Sequence, residues 1–338
     1  MNEGGKREKK MTINDVAEEL GVSISTVSRA ISGKGRIGEA TRRKVLNYIE
    51  ENGYQPGGGA KSIARARSGN IAIVVPDGRA MAEQSFLSMC MYGANETAQA
   101  RGYDMFMVTV NEHEVGRLKH LLDSRKVDGV ILGNTRRDDA YAKLLQSYQC
   151  PFVTIGSMND DTVVQVDHDN LGACRDLTAL LLSRGMRRIA YMGQAGSRLF
   201  VNEERYRGYV QAYHDAGLEV DPAIVYMDNM SEVIVSNNTD ELVQRRVDCI
   251  LCQDDNICSG VLQELYNQKI RIPNEIRVAA CYNSRILERY PVKVTSLKFD
   301  NAEIGRTACD ILLDMLEGKS VPQKTMLDYE VLLKESTK

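Results

Sequence analysis

Residues 12–32 read TINDVAEELGVSISTVSRAIS, and this stretch decides how the rest of the chain is interpreted. Apolar side chains recur from Ile13 to Leu20 at the spacing of one helical face, which predicts a first short helix. Thr12 stands three residues before Asp15, a capping-box pattern that is typical of a helix start. Gly21 then ends the helix, because glycine readily takes the left-handed conformation that a helix exit requires.

A second helix is predicted from Ile24 to Ile31, with Ser23 as its N-cap. Val27 and Ile31 lie four residues apart and are expected to pack on the first helix, so that polar side chains face outward. Two helices joined by a short turn, the second presenting Ser, Thr and Arg, follow the helix-turn-helix plan for reading the major groove of DNA. The alternative is a helical hairpin that binds nothing.

A third helix is predicted from Glu39 to about Asn52, and the segment GYQPGGGAKSIARARSG follows it at 53–69. In this order the motifs closely resemble the LacI/GalR family of bacterial transcription regulators. In that family a three-helix headpiece is followed by a Tyr-x-Pro turn, a short hinge helix and a core like that of sugar-binding proteins. The resemblance extends over the chain from Thr12 onward and is most specific in the headpiece.

The charge of the chain is unevenly distributed. The net charge of −3 by itself argues against a nucleic-acid binder. However, residues 1–67 carry 13 Lys and Arg against 8 Asp and Glu, whereas the remainder carries 30 against 38. A basic head on an acidic body fits a DNA-reading module attached to a part that does not touch DNA.

The sequence gives no secretion or membrane signal. The start, MNEGGKREKK, lacks the apolar region of a signal peptide, and no apolar run approaches the ~18 residues that a membrane span needs. Cys249 and Cys252 form a C-x-x-C motif in a predicted strand, where alternation puts their sulfurs on opposite faces, so a shared metal or disulfide is not expected. We expect reduced, mostly buried thiols in a bacterial cytoplasm.

Four segments are predicted: a disordered leader at 1–10, a helix-turn-helix headpiece at 11–56, a hinge segment at 57–69, and an effector-binding and dimerisation core at 70–338. From Asn70 onward, short apolar strands alternate with amphipathic helices, which is typical of parallel sheets covered on both faces. The expected fold is an all-α headpiece followed by a two-lobed, doubly wound α/β core that is periplasmic-binding-protein-like. One lobe is expected to combine 70–160 with 286–338, and the other to span 161–285.

The resemblance assigns the DNA base contacts to Ile24, Ser25 and Arg29. Arg29 can bond guanine O6 and N7 in a bidentate manner, whereas Ser25 suits several base edges and is less selective. The role of Ile24 stays open, because its side chain either touches a thymine methyl or packs beneath the helix with Val27. Hydroxyl groups suited to phosphate contacts, which set register and not sequence, are those of Thr12, Ser23, Thr26 and Ser28.

Ala60 and Ile63 match the hinge-helix positions at which the family places a small residue and an apolar wedge. Such a wedge enters the minor groove of the operator and kinks the DNA. Here the wedge is Ile where Leu is usual, and the three glycines at 57–59 are poor helix formers. A weak hinge helix that forms only on DNA in the dimer is expected, which either eases the switch or leaves the kink poorly maintained.

Three polar anchors of the family's effector site are present in register, namely Asp167, Arg205 and Asp255. Carboxylates that accept sugar hydroxyls opposite an Arg fork suit a polyol, although each residue could instead cap a helix or form a surface ion pair. The family's Asn-Pro-aromatic-aromatic stretch is absent, which leaves Phe86 as the aromatic candidate there. Tyr282 replaces an expected acid and either packs or stacks on a ligand ring. The effector is therefore unusual, or the pocket has lost its ligand.

The sequence predicts a transcription regulator, in preference a repressor, that acts as a homodimer on a palindromic operator and responds to a carbohydrate-like effector. The alternative is a solute-binding protein, against which the headpiece and the missing export signal argue. An α/β enzyme is less favoured, because we find no nucleotide fingerprint, no G-x-S-x-G and no metal-ligand cluster, and no cofactor or metal is expected. His168, next to Asp167, is interpreted as a surface histidine.

Overall fold

The computed structural model of the chain describes residues 11–32, 35–52, 67–76, 85–110, 115–133, 136, 139–194 and 199–338. The predicted leader at 1–10, the glycines at 57–59 and the hinge positions Ala60 and Ile63 lie outside the described residues. The described residues form a helical headpiece and two α/β lobes.

The headpiece consists of α1 (Ile13–Leu20), α2 (Ile24–Ser32) and α3 (Glu39–Glu51). The predicted capping box is present: the N–H of Thr12 donates to Asp15 Oδ2 at 2.7 Å, and the N–H of Asp15 donates to Thr12 Oγ1 at 3.3 Å. Gly21 ends α1 at a φ of 65°, in the left-handed region. The three helices enclose a small apolar core formed by Val16, Ala17, Val27, Ala30 and Val45.

The first lobe is built on a six-stranded, wholly parallel sheet. Its strands are β1 (Asn70–Pro76), β2 (Asp104–Val110), β3 (Gly129–Gly133), β4 (Phe152–Ile155), β5 (Val164–His168) and β11 (Lys324–Leu327). Their order across the sheet is β11, β5, β4, β3, β1, β2. The inner strands are continuous apolar runs because helices cover both faces of the sheet.

The second lobe has a six-stranded sheet of the same design. Its strands are β6 (Ile189–Gln194), β7 (Val225–Asp228), β8 (Cys249–Cys252), β9 (Arg277–Ala280), β10 (Thr295–Phe299) and β12 (Tyr329–Leu332). Their order is β12, β10, β9, β8, β6, β7, and only the β10–β12 pair in it is antiparallel. In both lobes the carboxyl ends of the parallel strands face a common crevice, which is where α/β sheets bind ligands.

The helices that cover the sheets are α4 (Ser85–Ala100), α5 (Gly116–Asp123), α6 (Ala140–Ser147), α7 (Asn170–Ser183), α8 (Phe200–Asp215), α9 (Glu232–Gln244), α10 (Asp255–Asn267) and α11 (Asn301–Glu317). Short 3₁₀ turns occupy Pro222–Ile224, Leu287–Arg289 and Glu335–Thr337. Helices α4 and α11 touch through their backbones. A Cβ on Gly93 would lie 1.9 Å from the carbonyl oxygen of Ala302, and one on Gly305 would lie 2.0 Å from that of Cys90.

Within the described ranges, the chain crosses between the lobes three times: from β5 to α7, from β10 to α11, and from β11 to β12 at Asp328. The predicted lobe boundaries are therefore wrong in two places. Strand β5, expected in the second lobe, belongs to the first sheet, and strands β10 and β12, expected in the first lobe, belong to the second. An apolar run indicates that a strand is buried, but the sheet that receives it is set by long-range pairing, which local pattern does not report.

Two further elements differ from expectation. Helix α9 was not predicted, because its sequence EVIVSNNTDELVQ is rich in β-branched and Asn residues of low helix propensity. The apolar residues also predict a single final strand near Leu327–Leu333, whereas the structure forms two strands there, in different lobes. The prediction that the thiols of Cys249 and Cys252 lie on opposite faces of their strand is confirmed, since the two thiols pack into different cores on either side of β8. No helix among the described residues is long and apolar enough to span a membrane.

Candidate functional site

The open face of α2 carries the three residues predicted to contact bases. Val27 and Ala30 are buried in the headpiece core, and this orientation leaves Ser25 and Arg29 exposed, one helical turn apart. Ile24 is 51 % exposed, so it does not pack beneath the helix with Val27. The helix therefore offers an apolar, a hydroxyl and a guanidinium group on its accessible side.

Hydroxyl groups cluster at the start of α2. Ser23 Oγ lies 2.8 Å from Ser25 Oγ and 2.8 Å from Thr26 Oγ1, and it accepts the N–H of Thr26 at 3.2 Å, as expected of an N-cap. Thr12 is held in the capping box of α1, and Ser28 is half-buried. Hydroxyls beside a helix start suit an anion such as a DNA phosphate, and phosphate contacts by these residues stay a prediction.

A pocket of about 180 Å³ lies between the lobes, at the crossovers of the chain. Its walls come from the carboxyl ends of strands in both sheets, together with the first turns of α4, α8 and α10. The lining residues are Phe86, Ile155, Gly156, Ser157, Asp167, His168, Asn170, Gln194, Leu199, Phe200, Val201, Asn202, Arg205, Asp254, Asp255, Asn256, Tyr282, Phe299 and Asn301. All five residues predicted as effector contacts are among them.

Asp167 lies in the pocket wall, and its carboxylate is engaged by the protein itself. Oδ2 accepts the N–H of Ser157 at 2.7 Å, and Oδ1 accepts the N–H of His168 at 2.8 Å and the side-chain amide of Asn170 at 3.2 Å. Burial raises the pKa of Asp167, and the hydrogen bonds from Ser157 and His168 oppose that rise. The contacts show that Asp167 fixes the β5–α7 crossover.

Among the described residues that line the pocket, Arg205 on α8 is the one with a guanidinium group. Its Nε donates to Asn170 Oδ1 at 3.3 Å and its Nη1 donates to the backbone carbonyl of Gln253 at 3.0 Å. These bonds hold the side chain against the carboxyl ends of β5 and β8. Among the described residues Nη2 has no protein acceptor, so the fork keeps a donor for a ligand.

Asp254 and Asp255 follow β8 and begin α10. Asp254 is the N-cap, and its Oδ1 accepts the N–H of Ile257 at 2.9 Å. Burial raises the pKa of Asp254, and the nearby carboxylate of Asp255 adds to this rise. The guanidinium of Arg205 opposes it. Asp255 is 8 % exposed and receives no hydrogen bond from a described residue. Of the two, Asp255 therefore has its acceptor oxygens available, whereas Asp254 caps the helix.

His168 is buried in the pocket wall, and the prediction that it lies on the surface is wrong. It is 4 % exposed, because β5 ends inside the interlobe crevice and not at an outer edge. Its Nδ1 lies 3.3 Å from the backbone carbonyl of Asp328, and its ring packs on Phe299 with centroids 4.8 Å apart. His168 thus touches all three crossovers. Burial lowers its pKa, an effect that Asp167 opposes.

Aromatic side chains complete the pocket. Phe86 packs against the cores of both lobes. Tyr282 is 7 % exposed, its hydroxyl accepts from Asn301 Nδ2 at 2.6 Å, and its ring stacks on Phe299 with centroids 6.4 Å apart. Tyr282 therefore both packs in the second lobe and lines the pocket, so the two roles considered from the sequence are compatible. Phe200, in the first turn of α8, adds a further ring.

Several lining residues were missed by the sequence analysis, among them His168, Asn170 and Asn301. His168 is the last residue of β5, and Asn170 and Asn301 lie just beyond β5 and β10, so the rule that ligands bind at strand carboxyl ends could have selected them. Within the described part of the chain, no group of three or more His, Cys, Asp or Glu side chains is placed to hold a metal ion.

Family comparisons match both parts of the chain. The family described as bacterial regulatory proteins, lacI family, matches residues 12–57, and the periplasmic binding protein-like domain matches residues 178–337. The chain is also similar over its length to curated regulators. It is 29% identical to the HTH-type transcriptional regulator CelR of Thermobifida fusca, covering 98% of this chain and 99% of that one. It is 27% identical to the HTH-type transcriptional regulator RegA of Clostridium saccharobutylicum, covering 96% and 99%.

Among solved structures, the chain resembles the complex of the transcriptional regulator CelR with cellobiose. The two chains are 28% identical and superpose with a TM-score of 0.73, over 96% of this chain and 99% of the other. The similarity thus includes headpiece and core together.

Proposed function

The chain belongs to the lacI family of bacterial regulatory proteins, and on that premise we propose that it is a repressor controlled by a small effector. It is a transcription regulator and not an enzyme. In the proposal it acts in the bacterial cytoplasm as a homodimer on a palindromic operator, each headpiece reading one half-site. A sugar or sugar-like molecule between the lobes alters the affinity for that operator.

The proposal rests on one observation: a pocket lies at the crossovers between the lobes, in a chain whose headpiece also presents α2 as a recognition helix. Filling the pocket alters contacts between the lobes, because Asp167 and His168 belong both to the pocket and to a crossover. A ligand that prefers one lobe arrangement shifts the population toward it. In the family the hinge segment then carries that change to the headpieces.

The chemistry of the pocket favours a carbohydrate. Sugars present hydroxyls around an apolar ring face, and here the oxygens of Asp255 and the donor of Arg205 are combined with the rings of Phe86 and Tyr282. The similar CelR structure holds cellobiose. We assign Asp255 and Arg205 as direct contacts, Phe86 and Tyr282 as packing surfaces, and Asp167 as the group that positions the wall.

On the DNA side, we propose that Arg29 and Ser25 read base edges and that Ile24 contacts a thymine methyl. Ile24 is assigned this role because half of its surface is accessible at the start of α2. Thr12, Ser23, Thr26 and Ser28 are proposed to set the register on the phosphates. A solute-binding role for the whole chain is not favoured, because full-length relatives are regulators.

The test is binding to a library of palindromic operators, followed by fluorescence anisotropy at fixed salt. We expect one palindrome to be selected, and Arg29→Ala to lose about 1–3 kcal/mol on it, which is about fivefold to 150-fold in affinity. Arg43→Ala is the matched control, since Arg43 is an exposed arginine on α3 and its loss should weaken all sequences alike. Equal losses from the two variants on selected and random DNA would contradict the assignment of Arg29.

A further inference from the structure

The ring of His168 has an acceptor that the protein leaves unused. Its Nδ1 lies 3.3 Å from the carbonyl oxygen of Asp328, which can only accept, so the proton must be on Nδ1. The neutral ring then has a lone pair on Nε2. That atom is buried and has no hydrogen-bond partner among the described residues. Burial also lowers the pKa of His168, which favours the neutral ring.

Asn301, at the start of α11, adds a second acceptor to the same pocket. Its Nδ2 donates to the hydroxyl of Tyr282 at 2.6 Å, whereas its Oδ1 is buried and has no partner among the described residues. Both His168 and Asn301 line the pocket. Buried acceptors without a partner are costly, so a ligand that donates hydrogen bonds here gains affinity.

Among the described residues that line the pocket, carboxyl groups outnumber cationic groups. Three of its described lining residues, Asp167, Asp254 and Asp255, carry carboxyl groups, and one, Arg205, carries a guanidinium. Two nitrogens of Arg205 are already used by Asn170 and Gln253. Among these residues an added anion would therefore meet more carboxylates than cations, and Asp167 and Asp255 are buried, so that charges near them interact strongly.

We propose that the pocket selects an uncharged, hydroxyl-rich ligand and rejects its phosphorylated or oxidised counterparts. This proposal rests on the proposed function and narrows its effector to neutral sugars. A neutral sugar can donate hydroxyl hydrogens to His168 Nε2, Asn301 Oδ1 and the Asp255 carboxylate while accepting from Arg205. The phosphate dianion or carboxylate group of a charged counterpart can only accept, so wherever it replaces a hydroxyl beside His168 or Asn301 that buried acceptor stays unfilled, and the added charge faces the aspartates.

The experiment measures binding of matched probes to the full chain by isothermal titration calorimetry and by the shift in melting temperature. The neutral probes are glucose, maltose and cellobiose, and each is compared with its 6-phosphate. We expect at least one neutral sugar to bind, and its 6-phosphate to bind at least about tenfold more weakly. A 6-phosphate that binds as tightly as its neutral partner overturns the inference and leaves the proposed effector function intact. If no member of the panel binds, the proposed sugar effector itself is overturned.

A charge-removing variant tests the electrostatic part of the argument. In Asp255→Asn the difference between a neutral sugar and its 6-phosphate should shrink by about tenfold, because one carboxylate facing the anion is gone. Asp215→Asn is the control: it removes the same charge at an exposed position near the other end of α8 and should keep the full difference. If Asp255→Asn discriminates as strongly as Asp215→Asn, carboxylate repulsion is not the cause and the inference fails.

Discussion

Glu204 is held in a position that disfavours its charge, and replacing it with Gln tests the electrostatics between the lobes. The side chain lies on α8 and is partly buried, and its Oε2 atom is buried with no hydrogen-bond partner among the described residues. Burial raises the pKa of Glu204 from its ordinary 4.5 to about 7. The nearby carboxylate of Asp167 adds to this rise, and the cations of Lys324 and Arg207 oppose it.

A raised pKa in the folded state means that the folded chain binds this proton more tightly than the unfolded chain does. The resulting stabilisation is complete below about pH 4.5 and is lost progressively as the pH rises to about 7. A rise in the pKa of Glu204 from 4.5 to about 7 corresponds to about 3 kcal/mol. Because the side chain keeps some contact with water, we expect about 2 kcal/mol in a measurement.

The variant Glu204→Gln keeps the shape of the side chain and cannot ionise. Its free energy of unfolding should match that of the wild type near about pH 4 and exceed it by about 2 kcal/mol near about pH 8. Urea unfolding of the full chain, followed by circular dichroism across this range, measures the difference. Glu219→Gln, which removes an exposed carboxylate in the same lobe, is the control. A difference that does not change with pH, or a variant less stable than the wild type near pH 8, would refute the reasoning.

Three other substitutions have defined outcomes. Gly305→Ala should lower the stability of the core by about 1–3 kcal/mol, because the added Cβ would lie 2.0 Å from the carbonyl oxygen of Cys90. The loss is measured as a lower melting temperature, and an unchanged melting temperature would contradict the close packing of α4 on α11. Thr12→Ala should cost about 1 kcal/mol of headpiece stability through loss of the capping box, measured by thermal unfolding of the helices, with Thr12→Ser expected to retain most of it. His168→Phe keeps a ring against Phe299 but removes the Nε2 acceptor. It should therefore weaken the binding of a neutral sugar by about tenfold in calorimetry. Unchanged affinity would show that no ligand hydroxyl reaches His168.

The headpiece could be predicted almost completely, because its determinants are local. The capping box at Thr12, the left-handed Gly21 and the apolar spacing along α1 and α2 each involve residues within a few positions of one another. The same holds for the covered strands of the core, whose apolar runs mark them individually. The exposure of Ile24 could not be predicted, since it depends on how α2 rotates against the headpiece core, which is a tertiary property.

The arrangement of the core was only partly predictable, for a different reason. Strands β5, β10 and β12 were each assigned to the wrong lobe, because their pairing partners lie far away in sequence. His168 shows the consequence for the site. His168 follows Asp167 in the sequence, and no local pattern there indicates that it is buried. The residues that bury it, Phe299 and Asp328, lie more than a hundred positions further along the chain.

The position of the pocket also indicates how a bound ligand can affect the headpiece. Coupling requires a ligand that binds two lobe arrangements with different affinity, and the residues that line this pocket are themselves part of the crossovers about which the lobes would turn. His168 contacts Phe299 at the second crossover and the carbonyl of Asp328 at the third. On the other side, the start of the core is fixed to the first lobe, where the N–H groups of Ser68 and Gly69 donate to the Asp128 carboxylate at 2.6 and 2.8 Å. In the proposed mechanism Ser68 and Gly69 therefore move with the first lobe, and a neutral sugar that bonds His168 biases the angle at which that lobe meets the second.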